Sequence, residues 1–202
     1  MIALEQLSPI GIGTHQIDRV ERACALRGLR CALEHGENFL STGTSYGPDV
    51  METVSCLMRS IERERIFLCV YIEPSVQSGE EVRAAVEAYL RRFGTDYVDF
   101  GFLHCVDEDE DFDELINSGI FDYIKKLKEE GKVHHIGFSS HTPSVANRVL
   151  DTGVIDMMMF SINPAYDLEQ GDELGIGSTS ERAALFCRCE SMGVGISVMK
   201  PF

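Results

Sequence analysis

The sequence predicts an α/β fold of the (β/α)₈ TIM-barrel type, incomplete because only seven strands are visible. Strand-like and helix-like segments alternate through almost the whole chain, and the strands start about 31 residues apart. The strand segments are apolar on both faces, as a parallel sheet covered by helices requires. Gly11 and Gly13 lack the third glycine of a dinucleotide-binding GxGxxG turn, which disfavours the open doubly wound sheet.

Each strand is predicted from a short apolar run that ends at glycine or polar residues. The predicted strands are residues 8–14, 38–42, 66–72, 97–104, 133–139, 156–162 and 194–199. Helical spacing of apolar residues, with glycine after most segments, predicts the helices between them. These helices are residues 19–35, 50–61 with Asp49 as cap, 80–93, 120–130, 143–153 after a Thr142 cap, and 180–192. The acidic run 107–114 is interpreted as a solvated loop leading into a helix N-terminus.

Composition narrows the class of protein. The 202 residues fit one domain, 1–202, and carry a formal net charge of −15 at pH 7, which opposes binding to nucleic acid or to anionic membranes. The sequence shows no apolar run long enough to span a membrane and no signal-peptide pattern, so a cytoplasmic protein is expected. Seven cysteines, an odd number, favour free thiols over a disulfide framework.

Chemically useful side chains follow the predicted strands, where a parallel barrel places its active site. The second, fourth and seventh strands are followed by Tyr46, His104 and Lys200, which together form a candidate proton-transfer and anion-stabilising set. Imidazole and thiol groups also follow the strands, but without the spacing of a metal motif, so no metal site is predicted. The residues considered for it are His15, His104, Cys105 and His141.

Five blocks of sequence resemble the ordered signature blocks of the aldo/keto reductase family. They are IGIGT (10–14), NFLSTGTSYG (38–47), DYVDFGFLH (96–104), GKVHHIGFSS (131–140) and SINP (161–164). The resemblance implies a barrel that binds NADPH or NADH and transfers hydride to a small carbonyl substrate. The GFSSH motif (137–141) and the ending VMKPF are similar to a branch that often carries a C-terminal ferredoxin-like iron–sulfur domain. A cluster needs a cysteine-rich segment, so none is expected in this chain.

The resemblance implies a catalytic Asp, Tyr, Lys and His, of which two fall on matching residues here. The tyrosine matches Tyr46 and the histidine matches His104, whereas the aspartate falls on Ser41 and the lysine on Tyr71. The lost aspartate and lysine would tune the phenol, whose free pKa is about 10. We therefore expect weak carbonyl reduction, with Lys200 as a candidate substitute for the lost lysine.

The resemblance also implies cofactor contacts. These fall on Gly13, Thr14, Ser139, Ser140 and Asn163, the last three at positions that hold the nicotinamide carboxamide in the family. The family's phosphate-binding residues lie mainly after the seventh strand, where this sequence offers no matching segment. NADP or NAD is therefore the expected cofactor, with weak binding.

Three functions remain open from the sequence alone. The first is a nicotinamide-dependent reductase, the second is a catalytically degenerate barrel that serves as a binding or assembly subunit, and the third is a non-redox lyase or isomerase that uses Tyr46, His104 and Lys200. If strands continued to start every 31 residues, an eighth strand would start at about residue 225, beyond this sequence. We therefore expect a fragment of a longer protein, or self-association or a partner at the open barrel edge.

Overall fold

The computed structural model describes residues 6–163 and 176–199 and contains one seven-stranded parallel sheet. The strands follow chain order, so each pairs with the strand before it in sequence. They are β1 (Gly11–Gly13), β2 (Phe39–Thr42), β3 (Phe67–Ile72), β4 (Val98–Leu103), β5 (Val133–Ser140), β6 (Met157–Ser161) and β7 (Gly195–Met199). All seven predicted strands are confirmed, and β1 is the one most shortened relative to its prediction.

Seven α-helices are described. They are α1 (Arg22–Glu34), α2 (Pro48–Met58), α3 (Gly79–Phe93), α4 (Asp109–Asn117), α5 (Ile120–Glu129), α6 (Pro143–Asp151) and α7 (Thr179–Met192). The predicted Asp49 cap is wrong, because Asp49 lies in the first turn of α2 and Gly47 is the N-cap. Thr142 is the N-cap residue of α6 as predicted, but its hydroxyl makes no capping hydrogen bond. The acidic run predicted as a loop forms most of α4, because Glu108 and Asp111 make a reciprocal capping box.

The sheet curls, so that its inner face packs on itself. The Tyr71 hydroxyl of β3 lies 3.6 Å from the Met159 sulfur of β6, although two strands separate them in the sheet. A compact inner cluster fills the concave side with Phe39, Cys69, Tyr71, Phe100, Phe102, Met157 and Met159. A second and larger cluster packs the outer face against the helices. The fold is therefore the (β/α)₈ barrel type, with seven strands in the described residues.

The two outer strands are partly exposed. Within the described residues β1 pairs with β2 alone and β7 with β6 alone. Ile10, next to β1, is 65% exposed, and Val198 of β7 is 45% exposed. The predicted open edges are thus present in the described part of the chain.

A buried ion pair fixes the end of the sheet at which the strands begin. Arg63 Nη2 lies 2.5 Å from Asp99 Oδ2, and both side chains are largely buried. The same guanidinium donates to Thr95 Oγ1 at 3.0 Å and to the carbonyl oxygens of Ile66 and Tyr97 at 2.7 and 3.2 Å. Asp99 also accepts the Leu68 amide at 2.8 Å. One arginine and one aspartate therefore join the starts of β3 and β4.

No described helix is both long enough and apolar enough to cross a membrane. All seven cysteines lie in the described part of the chain, and each is a free thiol.

Candidate active site

The turn after β2 presents Tyr46 at the carboxyl end of the sheet. Residues Thr44–Tyr46 form one turn of 3₁₀ helix that ends at Gly47, whose φ of +95° favours glycine. The Tyr89 hydroxyl accepts the Thr44 amide at 2.9 Å and donates to the Tyr71 carbonyl at 2.9 Å. The buried phenol of Tyr89 therefore fixes the turn that carries Tyr46 to the end of β3.

Glu73 provides a second anchor for the same turn. Its Oε1 accepts hydrogen bonds from the Ser45 amide at 3.2 Å and the Ser45 hydroxyl at 2.8 Å. A Cβ on Gly43 would lie 2.7 Å from that oxygen and 2.9 Å from the Tyr71 ring. The close approach of Glu73 to the turn therefore requires glycine at residue 43.

Tyr46 and His104 both contact the ring of Tyr71. The Tyr46 ring centroid lies 5.7 Å from that of Tyr71, which in turn lies 4.4 Å from the His104 centroid. On the other side of Tyr46, the His15 ring lies 4.7 Å away. The structure thus brings the two predicted catalytic side chains to one aromatic wall. Lys200, the third predicted catalytic residue, lies outside the described residues.

Burial keeps the phenol and the imidazole of this wall neutral. It raises the pKa of Tyr46 to about 12, helped by the charge of Glu73 and opposed by a hydrogen bond with the Tyr71 side chain. Burial also raises the pKa of Tyr71 and lowers that of His104 below its usual value. Ser41 hydrogen-bonds Tyr71. Neither Ser41 nor Tyr71 places a positive charge beside Tyr46, so the phenol is a hydrogen-bond donor but a weak acid.

We expect the protein to lose stability as the pH rises from about 10 to about 12. Burial raises the pKa values of Tyr46 and Tyr89 from 10.0 to about 12 in the folded state. The unfolded chain therefore releases these protons first, so their contribution to stability is complete below pH 10 and is lost as the pH approaches 12. Urea midpoints measured by circular dichroism at pH 9, 10 and 11 test this expectation. An unchanged midpoint over that range would contradict it.

The end of β5 is tied to the loop after β4. The Ser139 hydroxyl accepts the Cys105 amide at 2.8 Å, and Cys105 adopts a positive φ of 53°. The Ser140 hydroxyl accepts the Thr142 amide at 3.1 Å and lies 3.3 Å from an Asp107 oxygen. A hydroxyl that accepts one hydrogen bond can still donate another. Among the described residues the Ser139 hydroxyl donates to no partner and so retains a proton for a ligand. The Ser140 hydroxyl can donate to Asp107 Oδ1 at 3.3 Å or to the Thr142 carbonyl at 3.4 Å.

His141 is held by Asp107 at the same end of the sheet. The backbone amide of His141 donates to Oδ1 of Asp107 at 2.6 Å, and its Nδ1 lies 3.0 Å from Oδ2. Burial acts to raise the pKa of Asp107, but the hydrogen bonds from His141 outweigh it and lower that pKa. Within residues 6–163 and 176–199, no three His, Cys, Asp or Glu side chains form a metal-binding group.

The remaining predicted cofactor residues also lie around this end of the sheet. Gly13 ends β1 and pairs with Ser41. Thr14 is fully buried, and its hydroxyl donates to the Ser41 carbonyl at 2.9 Å, which joins β1 to β2. Asn163 is half-buried and follows β6 by two residues. The cofactor set predicted from the sequence is thus distributed over β1, β5 and β6.

A small pocket of about 40 Å³, open to solvent, lies beside the end of β4. We call it the His104 pocket. Its walls are formed by β3, β4, the loops that follow them, α4 and α5, and include His104, Glu73, Ile72, Leu103, Leu115 and Ile120. The sequence did not single out Glu73 or Tyr89. The available signal for Glu73 was its position, one residue beyond an apolar strand.

A curled parallel sheet with its polar side chains at the strand carboxyl ends defines a (β/α)₈-type protein with a site at that end. Residues 9–201 match the model of the Aldo/keto reductase family. The chain therefore belongs to the aldo/keto reductase family.

Individual relatives agree with this assignment. The probable aldo-keto reductase 1 of Glycine max is 24% identical over 211 residues, covering 97% of this chain and 56% of that protein. The structure of a putative aldo-keto reductase from Pseudomonas aeruginosa matches with a TM-score of 0.76 at 24% identity, covering 96% of this chain and 73% of that one. An aldo-keto reductase from Klebsiella pneumoniae, in complex with NADPH, matches with a TM-score of 0.75 at 20% identity, covering 96% and 64%. The chain spans about half the length of the first curated relatives that it matches.

Proposed function

We propose that this chain supplies the barrel wall and the proton donor of an NADP(H)-dependent oxidoreductase acting on a small carbonyl substrate. The observation that carries the proposal is the placement of Tyr46 and His104 against the ring of Tyr71, at the carboxyl end of the sheet. The family assignment and the NADPH complex of the Klebsiella pneumoniae relative support the choice of cofactor.

The described residues fit the nicotinamide end of this cofactor. The carboxamide oxygen needs a hydrogen-bond donor, and the Ser139 hydroxyl, which accepts from the Cys105 amide, can supply one. Asn163 follows β6 at the same end of the sheet. When bound, the cofactor supplies hydride to the carbonyl carbon. We propose weak binding, because a net charge of −15 leaves little positive charge to hold the cofactor's pyrophosphate.

In the proposed reaction the protein handles the carbonyl oxygen. The Tyr46 hydroxyl donates a hydrogen bond to that oxygen and transfers its proton as negative charge develops there. Neutral His104 orients the same oxygen by a second hydrogen bond. The raised pKa of Tyr46 makes it a poor acid, so we propose slow turnover.

NADPH fluorescence is the direct test of binding. We expect the 202-residue chain to bind NADPH and to oxidise it slowly with 4-nitrobenzaldehyde. Tyr46→Phe should abolish turnover and preserve binding. Tyr97→Phe is a matched control, because that ring packs beside Arg63 at the other end of the sheet. Absence of NADPH binding would refute the proposal, and full activity of Tyr46→Phe would refute the role of that phenol.

The raised pKa of Tyr46 and the exposed outer strands favour a second candidate, a binding or assembly subunit without turnover. The same assay separates the two functions. NADPH binding with no oxidation by wild type, at any carbonyl concentration, would favour the second candidate over the first.

A further inference from the structure

We propose that the His104 pocket catalyses cofactor-independent exchange of hydrogen on the carbon next to a carbonyl group, with Glu73 as the base. The pocket brings together a carboxylate and a neutral imidazole, the pair needed to remove an α-proton and to stabilise the resulting enolate oxygen. This reaction uses no nicotinamide and is therefore distinct from the proposed reduction.

Glu73 is placed and left free to act as a base. Its Oε1 is fixed by the amide and hydroxyl of Ser45, so the carboxylate has a defined position. Its Oε2 accepts no hydrogen bond, and the carboxylate forms no ion pair, within the described part of the chain. An anchored carboxylate with one unengaged oxygen and no counter-charge is suited to accept a proton.

His104 supplies the complementary donor. Its Nδ1 is buried without a hydrogen-bond partner among the described residues. A proton on Nδ1 would leave a buried donor unpaired, so the tautomer protonated on Nε2 is favoured. Burial lowers the pKa of His104, although the charge of Glu73 opposes this effect, so the ring is neutral at pH 7. Its Nε2–H therefore polarises an oxygen without charging the pocket.

The walls of the pocket indicate the class of substrate. Ile72, Leu103 and Leu115 provide apolar contact for a hydrocarbon chain. Asp111 and Glu114 add negative charge beside Glu73, which disfavours carboxylates and phosphates. The pocket therefore suits an uncharged ketone or aldehyde that carries at least one α-hydrogen.

The proposed step is balanced within the substrate and Glu73. The carboxylate takes the α-proton, the C–H electron pair becomes the carbon–carbon π bond, and the carbonyl π pair moves to oxygen. The His104 N–H stabilises that oxygen by a hydrogen bond. The protonated Glu73 exchanges its proton with water and returns one to carbon, which regenerates the ketone without any redox change.

Proton NMR of phenylacetone in D₂O, with no nicotinamide present, tests this activity. We expect the 202-residue chain to accelerate loss of the α-proton signals in a saturable manner. Glu73→Gln should lower the protein-dependent rate by about 10²-fold or more. Glutamine keeps an oxygen to accept from Ser45, so the turn remains anchored. Glu80→Gln, an exposed carboxylate in the first turn of α3, is the matched control and should exchange at the wild-type rate.

Three outcomes would overturn the proposal. One is a wild-type rate equal to that of buffer, which needs no variant to interpret. Another is wild-type exchange in a folded Glu73→Gln protein. Cyanoborohydride trapping identifies exchange that proceeds through a lysine imine. If the amount of trapped product accounts for the exchange rate, the proposal is also refuted. Because the assay omits NADPH, its result is independent of whether the chain reduces carbonyls.

Discussion

Replacing Ser41 with Asp and Tyr71 with Lys in the same chain should raise the rate of carbonyl reduction by about 10²–10⁴-fold. Burial raises the pKa of the Tyr46 phenol to about 12, and the Tyr71 side chain contributes a hydrogen bond but no charge. A lysine ammonium at residue 71 would stabilise the phenolate and lower the pKa of Tyr46 by roughly 1–3 pH units. An aspartate at residue 41 would hold that lysine charged, since Ser41 is already within hydrogen-bonding reach of residue 71.

The experiment compares NADPH oxidation with 4-nitrobenzaldehyde over a range of pH. Ser41→Asn with Tyr71→Met is the matched control, because it makes similar changes in volume without charge. Only the charged pair should accelerate reduction and move the pH dependence of the rate downward from the alkaline range. Both double variants could fold, bind NADPH and turn over equally slowly. That result would show that the high pKa of Tyr46 does not limit the reaction.

Arg63→Leu should lower the free energy of unfolding by about 3–5 kcal/mol, because it leaves the buried Asp99 carboxylate without its counter-charge. The same change removes the hydrogen bonds from Arg63 to Thr95 and to the carbonyl oxygens of Ile66 and Tyr97. The affected residues lie at the starts of β3 and β4, away from Tyr46. The loss should therefore appear in stability and not in NADPH binding.

Urea unfolding followed by circular dichroism measures this effect. Arg22→Leu is the control, because the Arg22–Asp49 pair is exposed and should contribute little. Equal losses of stability in the two variants would show that the buried Arg63–Asp99 pair contributes no more to the free energy of unfolding than the exposed Arg22–Asp49 pair.

The strands could be predicted closely because their signal is local. The run IFLCVYI predicts a strand at residues 66–72, because a continuous apolar run is typical of a strand buried on both faces. The structure has this strand at Phe67–Ile72. Helix α4 was not recognised, because its acidic residues resemble a solvated loop. Its stability depends on partners distant in sequence, such as Arg148, which pairs with Asp113 at 2.7 Å and stacks on Phe112.

The candidate site divides in the same way. The placement of Tyr46 and His104 at one end of the sheet could be predicted, because both follow parallel strands and such ends converge. The placement of Glu73 could not be predicted, since its carboxylate is held by Ser45, which lies 28 residues earlier in the sequence. The neutral state of Tyr46 and His104 also depends on burial, which the order of residues alone does not reveal.

The agreement between strand order and chain order has a consequence for synthesis of the protein. As the polypeptide leaves the ribosome, the hydrogen-bonding partner of each new strand from β2 to β7 has already been made. No strand in the described sheet has to wait for a later one to be inserted between it and its predecessor. The sheet can therefore grow in one direction during translation, with its most recent strand as the edge that receives the next.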